Sequence, residues 1–574
     1  MSESISPDFS SQITAIITKL KGLVYTDRQE KWYSCFDDLP ISPHTCPPIN
    51  PETWEPVRLN EKGYIIWEAG HRVCWLAQRF RIPHNFNGYP LQGLSLRFVL
   101  TWWADDAKIF INGQLVQEGD LFESSVRILL TEAAIPGEEF IVAIRLVSPG
   151  HDIGGLMKSY CIFEKREIAP GFVADEIAVL QRYWQAFEPE KLTLLATELE
   201  KIEWEEIGNA EQFNTSLATL RQTLQPHATS IKKRYIKMLS HAHLDMAWLW
   251  EVEETWDVAQ RTFESVLNLQ KDFLSLTFCH TSPVLYEWVE KNRPDLFVTI
   301  QEAVRSQSWD VLGGMWVEPD VNLVSGESIV RQLLYGQRYT QEKFGKIATV
   351  AWLTDSFGFC WQLPQLLKQA GIEYFVTQKL HWNDTTKFPH GAFWWESPDG
   401  TQIFTLMSPP NIAGIMDTNP NTLTTYAVDW EKQTGLQEIF WLPGVGDRGG
   451  GPSRDMLEVQ QDWQQSPFFP RIEFTIAQNY LQNVQRLLQQ REDTGENAKQ
   501  PIPIWKDELY LEFHRGCYTT HADQKRYNRR GEALLYQAEL WSTLAHIIGE
   551  SSSLFEGNGD IASNSLPASS YTPS

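Results

Sequence analysis

Two imidazoles and a carboxylate follow one another at alternate positions in YIKMLSHAHLDMAW, the stretch from Tyr235 to Trp248. Tyr235, Ile236, Met238 and Leu239 read as a short buried strand, and in an α/β domain such a strand delivers the residues after it to the rim where ligands bind. Alternate residues of extended backbone point the same way, so His243 and Asp245 converge while Leu244 turns aside. An imidazole nitrogen and a carboxylate oxygen on one side make half of a zinc site, each atom about 2 Å from the metal. Taken alone, H-x-H-x-D is equally well a histidine bonded to a carboxylate in a strand-end turn.

A metal held by His243 and Asp245 needs further donors. Asp320, which ends the run VLGGMWVEPD, is the first candidate. It could be more than a ligand. In retaining glycoside hydrolysis one carboxylate attacks the anomeric carbon while a second carboxyl, about 5 to 5.5 Å away, protonates the leaving oxygen. Asp355, in WLTDSFGF, is the first choice for that proton donor because it ends the next strand, with Asp447 second. Either could instead only bind sugar hydroxyls.

The elements that must position these groups are regular after Tyr235. Apolar strand-like runs occur at LTFCHTSP, WDVLGGMWVEPD, ATVAWLTDSFGF, YFVTQKLHW, QIFTLMSPP, IFWLPGVGD and IEFTIAQ, with amphipathic helical stretches between several of them. Alternating strands and helices predict a parallel sheet, and this many repeats predict a parallel β/α barrel. Most runs end in polar groups: His280 and Ser282, Glu318 and Asp320, Asp355, His381 and Asp384, Asp447. In a barrel those ends share one mouth; otherwise they are a solvated rim of carboxylates.

Upstream, short alternating runs from Tyr64 to Lys165 predict a β-sandwich of jelly-roll type, with Asn112-Gly113 as a tight hairpin turn. The whole is an α/β multidomain chain. An N-terminal helix and loop (1–60) precedes the sandwich (61–168), a helical connector (169–230) and the barrel (231–495). The start of a C-terminal helical bundle (496–549) follows, with Leu534, Leu535, Ala538, Leu540 and Leu544 on its buried side, and then a disordered tail (550–574).

The formal charge of −24, from 49 basic against 73 acidic residues, argues against nucleic acid or an anionic membrane as partner. The 24 Trp fit carbohydrate handling, since indole faces stack on sugar C–H faces, and are equally good core material. Seven scattered cysteines without C-x-x-C spacing predict neither a disulfide framework nor a thiolate zinc site. The polar N-terminus MSESISPDFSSQ and the lack of any apolar run of membrane-spanning length predict a cytoplasmic protein.

HAHLDMAWLW, GGMWVEPDVNLVSGESIVRQ, WLTDSFGFCWQLPQLLKQAGI, TQKLHWNDT, GVGDRGGGP and LEFHRGCYTTHA, in this order, resemble the α-mannosidases of glycoside hydrolase family 38, particularly their cytosolic-type branch. The likeness runs from about Tyr235 to Gly549. It implies a retaining α-mannosidase that removes terminal α-linked mannose from oligosaccharides with one zinc ion, or cobalt in its place. By motif position His243 and Asp245 would be ligands and Asp320 both nucleophile and ligand. Trp248 would be a platform under the sugar ring, and His514 would touch substrate.

Two departures stand out. Arg448 interrupts the glycine-rich loop that in the family reads GDGGGGP, and no motif like NQFHD, the source of the family's fourth metal ligand, occurs in the chain. The resemblance therefore implies the front part of a longer enzyme, whose missing half a second chain could supply. Two alternatives stay open. One is a catalytically silent carbohydrate-binding fragment. The other is a metal-dependent sugar deacetylase or amidohydrolase, which also uses H-x-D and would take metal-activated water as nucleophile.

Overall fold

The computed structural model describes residues 7–120, 124–150, 152–164, 169–248, 250–410, 414–446, 449–494 and 501–548. Two compact units result, Met1–Lys232 with Ser466–Phe469, and Lys233–Gln465 with Pro470–Ser574. The expected tail of 550–574 lies outside the described residues.

The first unit holds two antiparallel sheets. In one, Gly154–Glu164 pairs with Tyr25–Asp27, Ile65–Trp67 and Ser95–Trp103, and Ser95–Trp103 with Ser125–Thr131. In the other, the order runs Gln114–Gly119, Asp106–Ile111, Glu139–Val147, Val73–Arg81, Tyr33–Cys35, Glu55–Pro56. Phe80 and Phe98, one from each sheet, meet edge to face at 6.0 Å. The hairpin predicted at Asn112-Gly113 is present: both residues take positive φ, 51° and 83°, which matches the twist of the flanking strands. Three helices follow, Pro170–Phe187, Lys191–Leu199 and Ala210–Leu224, the last capped by Asn209, which accepts from Gln212 N at 3.3 Å.

In the second unit every predicted strand run forms a strand, and the ladders that join these runs to one another are parallel. Tyr235–Met238 lies between Glu438–Trp441 and Arg471–Phe474. Its continuation Ser240–His241 pairs with Phe278–His280, and that strand with Trp309–Val311. Val350–Trp352 pairs with Tyr374–Thr377, which pairs with Gln402–Met407. Gly313 N donates to Val350 O at 2.9 Å, linking the last two groups. An antiparallel strand, Ala392–Glu396, flanks Gln402–Met407 and carries Ile504–Trp505 on its far side. Strands buried on both faces explain the continuous apolar runs: Val350, Ala351 and Trp352 are all fully buried.

Helices fill most of the intervals. Gly326–Phe344 shows why they begin and end where they do. Ser325 caps its first turn by accepting from Ser328 N at 3.2 Å, and Gly345 ends it in the left-handed region at φ 76°.

The C-terminal helix, Ala522–Ile548, departs from expectation. Instead of a buried apolar side it has no buried residue at all, with Leu534 52%, Leu540 44% and Leu544 39% exposed. Its hold on the rest of the unit is polar. Glu539 forms a two-armed ion pair with Arg331 at 2.5 and 2.6 Å, and Glu532 accepts from Ser325 N at 2.8 Å and from the Ser328 hydroxyl at 2.6 Å. Apolar spacing tells which side of a helix would be buried; here nothing among the described residues covers it.

Candidate active site

The pairing of His243 with Asp245 is present as a contact. After the strand Tyr235–Met238 the chain continues through Ser240–His241, and His243 and Asp245 follow. His243 is buried, and its Nε2 stands 3.2 Å from Asp245 Oδ1. Its other nitrogen, Nδ1, stands 3.2 Å from the buried Thr354 hydroxyl and 3.8 Å from Glu318 Oε1. The ring is thus held from both ends. Donor atoms of His243, Asp245 and Asp355 all lie within 4.8 Å of one another. One imidazole and two carboxylates at that spacing are a donor set suited to a divalent ion.

Charge points the same way. Burial disfavours a proton on His243, but Asp245, reinforced by Glu318 and Asp355, outweighs it and pushes the ring up to about 10. Without a cation the cluster keeps a proton on the imidazole, so a positive charge is what this environment stabilises. Glu318 shows the converse: burial, opposed by His243, pushes its carboxyl up to about 7.

Asp355, rather than Asp320, is the third member of this group. The reason lies in which strand ends carry them. Asp355 follows the strand Val350–Trp352 and Thr354, which itself touches His243, whereas Asp320 sits in a turn ordered by its own neighbours. Asn322 N donates to Asp320 Oδ1 at 3.2 Å, and Oδ2 is buried without a hydrogen-bond partner. Burial raises this carboxyl to about 6.

Trp248 is 40% exposed and meets Trp250 edge to face at 5.8 Å. Trp250 is tied down, its Nε1 donating to Thr255 Oγ1 at 3.1 Å. An exposed indole on an anchored neighbour is a stiff apolar surface three residues along the chain from Asp245. His514 takes a positive φ of 58° and lies against Phe357 at 5.0 Å, Phe513 at 4.4 Å and Trp382 at 6.0 Å. Asp447 and Arg448 lie outside the described residues.

Other strand-end groups separate from the cluster. His381 Nε2 is taken by Ser408 O at 2.9 Å, and Asp384 pairs with Arg515 at 2.9 Å on the surface. His280 is fully buried with Nδ1 2.6 Å from Thr281 O, and burial pushes its ring down to about 3, so it stays neutral. His241, the first histidine of the motif, is likewise buried and held neutral, its Nδ1 3.3 Å from Cys279 O.

Lys379 has no role in the reading of the sequence alone. It lies on the short 3-10 turn Lys379–Trp382 directly after the strand Tyr374–Thr377, and its side chain is 2% exposed. Its ammonium donates to Asp355 Oδ1 at 2.6 Å. A lysine following a buried strand is the one signal that could have marked it, since the same runs end in His280, Asp320 and Asp355.

The chain matches the glycosyl hydrolases family 38 N-terminal domain over residues 233–508 and the alpha mannosidase middle domain over residues 512–565. Alpha-mannosidase G of Dictyostelium discoideum is 32% identical over 348 residues, which are 60% of this chain and 30% of that protein. Alpha-mannosidase 2C1 of Homo sapiens is 36% identical over 310 residues, 54% of this chain and 29% of that protein. The chain thus spans about three tenths of the length of these relatives, 30% and 29%. Among solved structures, an alpha-mannosidase from Enterococcus faecalis V583 aligns with a TM-score of 0.46 and 18% identity, over 58% of this chain and 41% of that one. With both domains matched in order and without overlap, the chain belongs to glycosyl hydrolase family 38.

Proposed function

We propose that the unit beginning at Lys233 is the catalytic part of a retaining α-mannosidase acting on terminal α-linked mannose of oligosaccharides in the cytoplasm. The observation that carries this reading is the His243, Asp245 and Asp355 cluster inside a matched family 38 N-terminal domain. The relatives named above are alpha-mannosidases, and no described helix is long and apolar enough to cross a membrane. In this reading the parallel strands belong to one barrel whose mouth carries the reacting groups.

The residues fit a divalent metal, zinc by the mix of imidazole and carboxylate donors and cobalt as its substitute. His243 and Asp245 would hold it, with Asp355 or Asp320 as the third protein donor. Bound there, a zinc ion would orient sugar hydroxyls and offset the negative charge of the carboxylates around the site.

Asp320 is the proposed nucleophile. Its Oδ2 has no partner to displace, and burial raises its carboxyl to about 6 against the opposing pull of Asn322 N and Lys525. Attack on the anomeric carbon breaks the glycosidic bond, and Asp355 is the proposed source of the proton for the leaving oxygen. Water then cleaves the glycosyl ester as Asp355 takes a proton back. Trp248 offers the exposed ring under the sugar, and His514 and Asp447 are proposed to contact its hydroxyls.

Release of p-nitrophenol from p-nitrophenyl α-mannoside tests the reading, with and without zinc or cobalt and with Asp320→Ala as control. Metal-dependent turnover that the control lacks supports it. Folded, zinc-supplied protein without turnover would contradict it for this chain alone, and binding of mannose oligosaccharides without hydrolysis would then favour a silent carbohydrate-binding module.

A further inference from the structure

A buried ammonium must be paired, because an unpaired charge away from water is strongly unfavourable. Lys379 has one carboxylate and two aromatic rings around its ammonium. Its Nζ donates to Asp355 Oδ1 at 2.6 Å, lies 3.9 Å from the centroid of the Trp382 ring and 5.0 Å from that of Phe357, and only 2% of the side chain is exposed. The backbone beneath it is equally fixed, with Lys379 N 3.4 Å from the Thr377 hydroxyl and the turn closed by His381 N donating to Gln378 O at 3.0 Å. Asp355, by contrast, is partly exposed and has the rotamer freedom of any short carboxylate.

The two aromatic rings therefore fix the lysine, and the lysine fixes the carboxylate. Charge-assisted hydrogen bonds of this length are short and directional, and an ammonium lodged between two rings cannot follow Asp355 if that side chain turns. The same carboxylate offers an oxygen within 4.8 Å of donors on His243 and Asp245. Whatever Asp355 does at the cluster, it does from the rotamer that Lys379 allows.

We propose that Lys379 is a positioning residue of the reaction, its ammonium holding Asp355 at the edge of the His243 and Asp245 pair while Trp382 and Phe357 hold Lys379. This rests on the mannosidase reading for its kinetic consequence but not for its geometry. A carboxyl displaced by about 1 Å from a reacting atom costs on the order of a hundredfold in rate.

The test is a double-mutant cycle in the full chain with zinc supplied. Lys379→Met keeps most of the volume and removes the charge; Asp355→Asn removes the partner. Lys379→Met should lower kcat on p-nitrophenyl α-mannoside about 10- to 100-fold with KM changed far less, and should cost nothing further in the Asp355→Asn background. Equal loss in both backgrounds, or no loss in either, overturns the proposal, because a merely structural lysine acts independently of Asp355. Should Lys379→Met not fold, Lys379→Arg keeps the charge, displaces the donors and must show the same non-additivity. Crystal structures of the wild type and of the Lys379 variant put the question without turnover: Asp355 leaves its rotamer if Lys379 holds it and stays if it does not. A folded wild-type chain that turns nothing over counts against the mannosidase reading, and the crystallographic comparison then decides this one.

Discussion

His243 and Asp245, separated on the chain only by Leu244, stand 3.2 Å apart from Nε2 to Oδ1, and the proton between them is one a metal has to displace. Burial lowers the affinity of His243 for that proton, and Asp245 with Glu318 and Asp355 raises it further than burial lowers it, to about 10. At pH 7 the ring is therefore protonated in the metal-free protein. A metal takes only the neutral imidazole, so zinc uptake at pH 7 should release about one proton, and apparent affinity should rise with pH until about 10. Calorimetry in two buffers of different ionisation enthalpy counts that proton. A count of zero, or unchanged zinc affinity in His243→Ala, would remove His243 from the metal site.

Asp320 should cost the fold stability at neutral pH. Its carboxyl, raised by burial from 3.8 to about 6, binds a proton more tightly in the native than in the unfolded chain. The stability tied to the protonated form is complete below the unfolded value and is lost as pH rises through about 6. Two units at about 1.4 kcal/mol each give a cost near 3 kcal/mol, as an upper figure, at pH 7. Asp320→Asn should therefore stabilise the metal-free protein against urea at pH 7, by at most that much, and the gain should shrink by about half at pH 5 while turnover is abolished. A gain that is the same at both pH values would show that ionisation is not its source.

How far these groups were legible differs residue by residue. His243 and Asp245 were readable because strand alternation is a local rule, and the four-residue strand that leads to them buries Ile236 and Met238. Asp355 was readable as a strand-end carboxylate, but its place beside His243 depends on which strands neighbour one another, which spacing does not encode. Lys379 carried only its position after a buried strand as a signal, and its pairing was not readable, since a lysine with 2% of its side chain exposed exists only through Asp355 and the rings of Trp382 and Phe357. The C-terminal helix failed for the opposite reason. Its apolar spacing at Leu534, Leu540 and Leu544 is genuine, yet burial needs a covering surface, and among the described residues none is there.

That uncovered helix should make the isolated chain self-associate. Trp541 is 67% exposed, Ile547 73% and Ile548 76%, along the same 27-residue helix. Contiguous exposed apolar surface of this kind drives association. Trp541→Glu should shift the chain toward monomer in sedimentation velocity and change unfolding stability by no more than about 0.5 kcal/mol, since it removes no buried contact. A loss of several kcal/mol would mean that the indole is packed after all.

The strand leading to His243 starts at a buried ion pair. Arg234 and Glu431, whose side chains are 7% and 10% exposed, meet through two hydrogen bonds, 2.6 and 2.9 Å. Glu431→Ala leaves the guanidinium buried without its carboxylate, and loss of one partner from such a pair costs about 3 to 5 kcal/mol. Denaturant unfolding should show a loss of that size. A cost below about 1 kcal/mol would mean that water reaches Arg234 and that the pair behaves as an exposed one.

Gly444 controls the same segment from the other side. An alanine Cβ there would stand 1.8 Å from the His241 carbonyl oxygen and 3.0 Å from its carbonyl carbon, and neither is a flexible side-chain end that could swing away. The contact is built in, since His241 N donates to Pro443 O at 3.2 Å and draws the two backbones together. Relief requires the His241 peptide to move by an ångström or more, and His243 is the second residue beyond it. Gly444→Ala should therefore cost about 3 kcal/mol or more and weaken zinc binding in whatever fraction folds. Gly326 is the matching control, with nothing within 4 Å of its added Cβ at the start of the helix Gly326–Phe344. Gly326→Ala should be neutral or stabilise by up to about 1 kcal/mol and leave zinc affinity unchanged. If both alanines behave alike in unfolding and in zinc titration, close backbone approach at Gly444 is not what holds His243 in place.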